Sequence, residues 1–281
     1  MAQIAVTLNP AAVTRNRAIW LPREHGAWGM LLVPLVTGAT VAAGGSYLPL
    51  GWFTIAALSL FWLRTPVEAL LGTSVIRART SNERRAAWTA VAVVSAISLP
   101  SLVALFWGLQ RLDLLAIGAV AGLAFAIQAP LKRQRKFRAL AEVIGSIGLT
   151  STAASAYYLV TGTFGSAALT IWAINWLFAA EQIEFVQTRI RGAKLATFAD
   201  RLARGKTYLI TAASVLLALA ALSIFKLVPA LAILAFTPAL IRAGLWFTSR
   251  QKALDVHRLG WMELGNAITF AALLVTAFRL R

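Results

Sequence analysis

The sequence predicts an all-α fold, a polytopic membrane bundle of nine transmembrane helices. Three observations predict it. Of 281 residues 59% are hydrophobic and 13% charged, too little polar surface to cover a soluble domain. Apolar stretches of about 20 residues, the length that crosses a bilayer core, recur along the chain. Lys and Arg gather in alternate connections, as the positive-inside rule requires of a chain that crosses repeatedly.

The spans fall near residues 26–43, 52–75, 87–109, 112–130, 139–160, 166–187, 207–225, 227–245 and 262–278. Arg15, Arg17 and Arg23 precede the first, and the connection GGSYLPLG from Gly44 carries no cation. The second connection carries Arg77, Arg79, Arg84 and Arg85, and the fourth Lys132, Arg133, Arg135, Lys136 and Arg138. The sixth carries Arg189, Arg191, Lys194, Arg201, Arg204 and Lys206, and the eighth Arg250, Lys252 and Arg258, with Arg242 nearby. The other side keeps only Arg111, Lys226, Arg279 and Arg281. This alternation places the chain in the cytoplasmic (inner) membrane with its N-terminus in the cytoplasm and its C-terminus outside. Residues 1–25 read as a cytoplasmic segment and 26–281 as one transmembrane domain. Residues 1–20 lack the pattern of a cleavable signal, so the first span is expected to stay as an anchor.

Finer features follow from this threading. Trp20, Trp28, Trp88, Trp246 and Trp261 fall near the inner interface and Trp52, Trp107 and Trp172 near the outer one, where indole rings anchor helices. Gly118, Gly122 and Ala126, at i, i+4 spacing, would let another helix approach the fourth span closely. The net charge of +17 is absorbed by the cytoplasmic connections and their attraction to anionic lipid, so membrane lipids and not nucleic acid are the expected partners.

The carboxylates converge on one depth. Glu24, Glu68, Glu142, Glu181, Glu184 and Glu263 all fall toward the cytoplasmic ends of their spans, with Arg23, His25 and Arg64 in the same layer. Glu181, Glu184, Thr188 and Arg191 follow i, i+3, i+7, i+10 on one helix face, with Lys194 just beyond. Arg64 and Glu68 are i, i+4, and Glu263 and Asn266 are i, i+3. Ionisable groups inside a membrane face a bundle interior or a wet cavity and pair there, so these residues are the candidate ligand-binding set around a polar cavity open to the cytoplasm. The competing readings are snorkelling to the headgroups for Glu142 and Glu263, a local ion pair for Arg64 and Glu68, and a satisfied interfacial histidine for His25. Asp113, Asp200 and Asp255, in or near loops, read as local charge balance. Cysteine is absent, which excludes disulfides and thiol catalysis, and no Walker loop, GxSxG serine or His cluster appears.

Two resemblances add to this. The stretch LPREHGAWGMLLVP from Leu21 resembles the N-terminal signature of the YwiC-like family, multi-pass membrane proteins whose name supplies no activity. RARTSNERR from Arg77, QAPLKR from Gln128 and RGAK from Arg191 are similar to loop motifs of the UbiA superfamily of intramembrane prenyltransferases. That resemblance implies a bundle binding a prenyl diphosphate through Mg²⁺ held on two Asp-rich motifs. The chain departs from it: TPVEALLG from Thr65 and EQIEFVQ from Glu181 stand where those motifs would fall, leaving Glu68, Glu181 and Glu184 as the only acidic metal ligands. The expectation is therefore a UbiA-like scaffold that binds an amphipathic lipid, isoprenoid or quinone-type molecule without the usual metal cluster. The alternatives are an Mg²⁺-dependent prenyl transferase, in which Arg79, Lys132 and Lys194 steady the diphosphate, and a proton-coupled transporter.

Overall fold

The computed structural model describes residues 20, 25–42, 44–72, 77–195, 197–248 and 254–280. Among these the chain is helical, with no strand. Its helices are α1 (His25–Val41), α2 (Leu48–Leu71), α3 (Ser81–Val103), α4 (Asp113–Lys132), α5 (Arg138–Thr150), α6 (Thr152–Thr161), α7 (Ser166–Arg191), α8 (Phe198–Arg204), α9 (Lys206–Ile224), α10 (Thr237–Thr248) and α11 (Val256–Arg279). A π-helical turn, Ala104–Gly108, extends α3, and a 3₁₀ segment, Ala230–Phe236, leads into α10.

Seven helical segments are long and apolar enough to cross a membrane: Leu48–Leu71, Ser81–Gly108, Asp113–Lys132, Arg138–Thr161, Lys206–Ile224, Ala230–Thr248 and Val256–Arg279. They coincide with seven of the nine expected spans. The first and sixth do not meet that measure. The first is a shorter apolar helix, and the sixth, α7, has the length but carries Asn175, Glu181, Gln182, Glu184 and Gln187 along it. Pro34, Pro66, Pro100 and Pro130 lie inside helices, a usage more tolerated in membrane helices than in soluble ones.

The chain forms two compact units. The first takes in Leu48–Arg111, where α2 and α3 form a helical hairpin. Small residues close its turn: Ala69, Ala78 and Ala87 are buried together, and Ala78 N–H donates to the Ala69 carbonyl at 3.1 Å. Thr80 and Glu83 start α3 as a capping box, with the Glu83 N–H donating to Thr80 Oγ1 and the Thr80 N–H to Glu83 Oε2. Two orphan donors are thereby satisfied, an arrangement in which a cap alone is worth about 1 kcal/mol.

The second unit holds Gly26–Tyr47 and Leu112–Arg281. Its spine is Arg138–Thr161, whose apolar window is 78% buried where those of the other spans are 22–39% buried. The sequence explains this. GSIGLTSTAASA, from Gly145 to Ala156, has almost no bulky side chain, so neighbours approach the backbone itself. A Cβ on Gly145 would collide with Gln128 and one on Gly148 with Phe125, both on α4. From α1, a Cβ on Gly38 would come within 2.1 Å of the Ala153 carbonyl oxygen, and Thr152 Oγ1 donates to the Leu31 carbonyl at 2.8 Å. The close approach on α4 thus uses the face of Ala121, Phe125 and Gln128. The expected stripe of Gly118, Gly122 and Ala126 is exposed, because the residues small enough to permit contact lie on α5, not α4.

Beyond the spine, Ile174 and Phe178 of α7 pack with Val215 and Leu219 of α9, Phe236 of the 3₁₀ segment, and Phe270 and Leu274 of α11. Phe178 and Phe270 stack at 3.9 Å between ring centroids. A second cluster joins Phe185, Tyr208, Ala243, Trp246 and Phe247. Trp246 is therefore core and not an interfacial anchor, whereas Trp88, Trp107 and Trp261 are exposed. Asp200 and Asp255 help start helices: Thr197 Oγ1 accepts from the Asp200 N–H while bonding its carboxylate, and Asp255 accepts from the Arg258 N–H.

A buried candidate site of two carboxylates on one arginine

Glu181 stands between the two apolar clusters, with Phe178 three residues before it on α7 and Phe185 four residues after. Burying a lone carboxylate there would cost several kcal/mol, so it demands a partner. The partner is Arg242 of α10, whose Nη2 lies 3.0 Å from Glu181 Oε1 and 3.1 Å from Oε2. Nη1 of the same guanidinium donates to Glu263 Oε2 on α11. The side chains of Arg242, Glu181 and Glu263 are 9%, 2% and 10% exposed, so the group is closed to solvent. The Tyr208 hydroxyl of α9 donates to Glu181 Oε1 at 2.7 Å, and the guanidinium carbon lies 3.9 Å from the Phe185 ring centroid, a cation–π contact. Gln182 Nε2 donates to the Glu263 carbonyl at 2.9 Å. Four helices therefore converge on one polar cluster inside an apolar bundle.

The cluster is not fully satisfied. Among the described residues, Arg242 Nε, Glu263 Oε1 and Asn266 Nδ2 are buried without a hydrogen-bond partner. Each such atom is an exception to the usual satisfaction of buried polar groups.

Toward the C-terminal end of α7 the polar stripe opens. Glu184 is half-buried and Thr188 buried, while Arg191 and Lys194 are exposed. Gln187 Nε2 donates to Glu142 Oε2 at 2.8 Å, and Arg138 Nε stands 3.5 Å from Glu142 Oε1. Arg201 is buried on α8, its Nη1 donating to the Trp246 carbonyl at 2.8 Å, so it ties the short helix to the end of α10. In the other unit Arg64 Nε pairs with Glu68 Oε1 at 2.7 Å within α2.

Of the sequence-predicted set, the structure brings together Glu181 and Glu263 through Arg242, and Glu142 with α7 through Gln187. Asn266 is buried one turn from Glu263. Arg23 and Glu24, and the side chain of His25, lie outside the described residues. Sequence reasoning does not reach Tyr208 or Gln182. It counts Arg242 only with the cations of the eighth connection, although a lone cation inside TPALIRAGLWFT is itself the signal that counterions converge there.

The donor set can be tested against Mg²⁺. It does not fit, because both Glu181 oxygens face the Arg242 guanidinium, and a fixed cation stands where the dication would bind. Among the described residues no group of three His, Asp or Glu side chains gathers that could hold a metal.

The chain is an integral membrane protein by the length and composition of its helices. Residues 21–158 match the family described as YwiC-like protein, in keeping with the signature that opens at Leu21. No curated protein and no solved structure matches the chain significantly. The Glu181–Arg242–Glu263 cluster lies wholly beyond the matched stretch.

Proposed function

We propose that this chain is a YwiC-like protein of the cytoplasmic membrane that crosses it nine times and binds a quinone- or prenyl-type amphiphile. The charge pattern supports the nine-span threading. With seven crossings alone, the cations of 77–85 and 132–138 would face the opposite side from those of 189–206 and 250–258. Adding α1 and α7 returns all of them to one side, with the N-terminus, as the positive-inside rule favours. Most polar residues of α7 do not oppose a crossing: Asn175, Glu181 and Gln182 are buried, and Gln187 is shared with Glu142 of α5.

The observation that carries the binding reading is the contrast along α7. Glu181 is closed off and committed to Arg242, whereas Glu184, three residues on, is half-buried and makes no hydrogen bond or ion pair among the described residues. Around Glu184 stand the acceptor Glu142, on α5, and the cation Arg191, on its own helix. A head that donates hydrogen bonds, such as a quinol hydroxyl, complements the two carboxylates, and its tail lies among the apolar helices. A diphosphate would meet like charge at Glu184 and Glu142, relieved in part by Arg191. The resemblance to the UbiA superfamily is carried by three short loop motifs, and these support a lipid-handling scaffold more than transfer chemistry.

The test is isothermal titration of the purified chain with a short-chain benzoquinol, beside geranylgeranyl diphosphate with Mg²⁺ or with chelator, for the wild type and Glu184→Gln. Saturable quinol binding, weakened about tenfold by the substitution as loss of one charge-assisted hydrogen bond implies, is the expected result. Diphosphate binding that needs both Mg²⁺ and Glu184 would restore the transferase reading, and no saturable binding of either would remove both.

A further inference from the structure

We propose that Glu263 is a proton-binding site inside the membrane, neutral in the packed state described above while Glu181 and Arg242 form the ion pair. The cluster holds two carboxylates against one guanidinium, so with both acids ionised it carries one uncompensated negative charge between apolar layers. Such a charge is costly enough that a buried acid takes up a proton instead.

The geometry selects which acid. Glu181 receives three hydrogen bonds, two from Arg242 Nη2 and one from Tyr208, so a negative charge there is the better answered of the two. Glu263 receives one, at Oε2, and its Oε1 is buried without a partner among the described residues. That free oxygen is where the proton resides.

Two further cations lie nearby among the described residues, Arg189 of α7 and Arg201 of α8. Arg189 attracts Glu263 electrostatically but forms no ion pair with it, so it offsets the negative charge of the cluster only in part. Arg189 is only half-buried and lies over Trp246, and Arg201 is committed to the carbonyls at the end of α10. The described part of α1 and the 3₁₀ segment bring no charge, and on α11 the neighbouring polar group is the uncharged Asn266. Uptake and release involve one proton and no other reactant: Oε1–H breaks on release, and the cluster passes from neutral to singly negative. This inference does not depend on the amphiphile reading, because it concerns the closed cluster and not Glu184.

The experiment is infrared difference spectroscopy of the full chain in lipid nanodiscs, in H₂O and D₂O at neutral pH. The expected result is a protonated-carboxyl C=O band that shifts down in D₂O and is missing from Glu263→Gln. The band should also vanish in Glu181→Gln, where Arg242 is left to pair with an ionised Glu263, and persist in Glu68→Gln. Because Glu263→Gln imitates the neutral acid, its melting temperature should match or exceed that of the wild type. A wild-type spectrum identical to that of Glu263→Gln, or a band that survives in Glu181→Gln, would overturn the assignment. So would a Glu263→Gln variant that loses its fold.

Discussion

Replacing Arg242 by Met removes the cation that holds Glu181 and Glu263 while keeping a long side chain on α10. Breaking a buried ion pair from one side costs about 3–5 kcal/mol, mostly because the remaining charge is left uncompensated. The contact with the Phe185 ring, 3.9 Å from the guanidinium, adds on the order of 1 kcal/mol. Relief by proton uptake at the orphaned acids returns part of this, so a net loss of about 4 kcal/mol is expected, about a thousandfold in the folding equilibrium. Reversible denaturation in mixed micelles, followed by far-UV circular dichroism of the helices, measures it. The decisive comparison is the triple variant Arg242→Met, Glu181→Gln, Glu263→Gln, which removes every charge at nearly constant volume. Substituting a whole buried ionic group by uncharged residues is often neutral or stabilising, so the triple variant should regain most of the loss. If Arg242→Met lies within about 1 kcal/mol of the wild type, or the triple variant is no better than the single one, the cluster does not hold these helices together.

Three further outcomes follow. Gly38→Val puts a Cβ into the Ala153 carbonyl, where backbone meets backbone, and should cost about 3 kcal/mol or abolish folding, read as loss of a monodisperse species in detergent. Gly118→Ala, whose Cβ would meet nothing within 4 Å, should cost no stability, or gain up to about 1 kcal/mol from helix propensity. The native chain lacks cysteine, so single cysteines can be introduced without background: at Ser46 and Gly165 they should react with an impermeant maleimide from outside, and at Asn82 and Lys194 only after the membrane is opened. Labelling of Ser46 and Asn82 from opposite sides, but Gly165 and Lys194 from the same side, would remove α7 from the spans.

The apolar runs made the helices legible from the sequence, and the spacing of acids along them singled out Glu181 and Glu263, which the structure joins through Arg242. The partner was not legible. Arg242 sits close enough to the basic eighth connection to pass for a topology signal, and only packing shows that its side chain turns inward. Tyr208 gave no signal, since a tyrosine near the start of an apolar helix reads as an interfacial anchor whichever way it points. The close contact at Gly148 failed in the other direction: a small-residue stripe shows where approach is permitted, not which of several permitted faces a neighbour takes. α7 is hardest to classify by hydropathy because Glu181, Gln182 and Gln187 along it are answered by Arg242, Glu263 and Glu142 of other helices, which an average over the sequence does not see.

The order of the chain also bears on how it is assembled. α1 belongs with α4 to α11, yet α2 and α3 intervene and form a unit of their own. At the ribosome α1 therefore emerges before any of the backbone it will touch at Ala153, and the Arg279 side chain that caps the Thr40 carbonyl arrives 239 residues later. Until then a short helix whose Gly38 fits only against the Ala153 backbone stands without its partners, while the α2–α3 hairpin is already complete. Translation pauses or insertion factors acting between the synthesis of α3 and α5 would meet this unprotected helix.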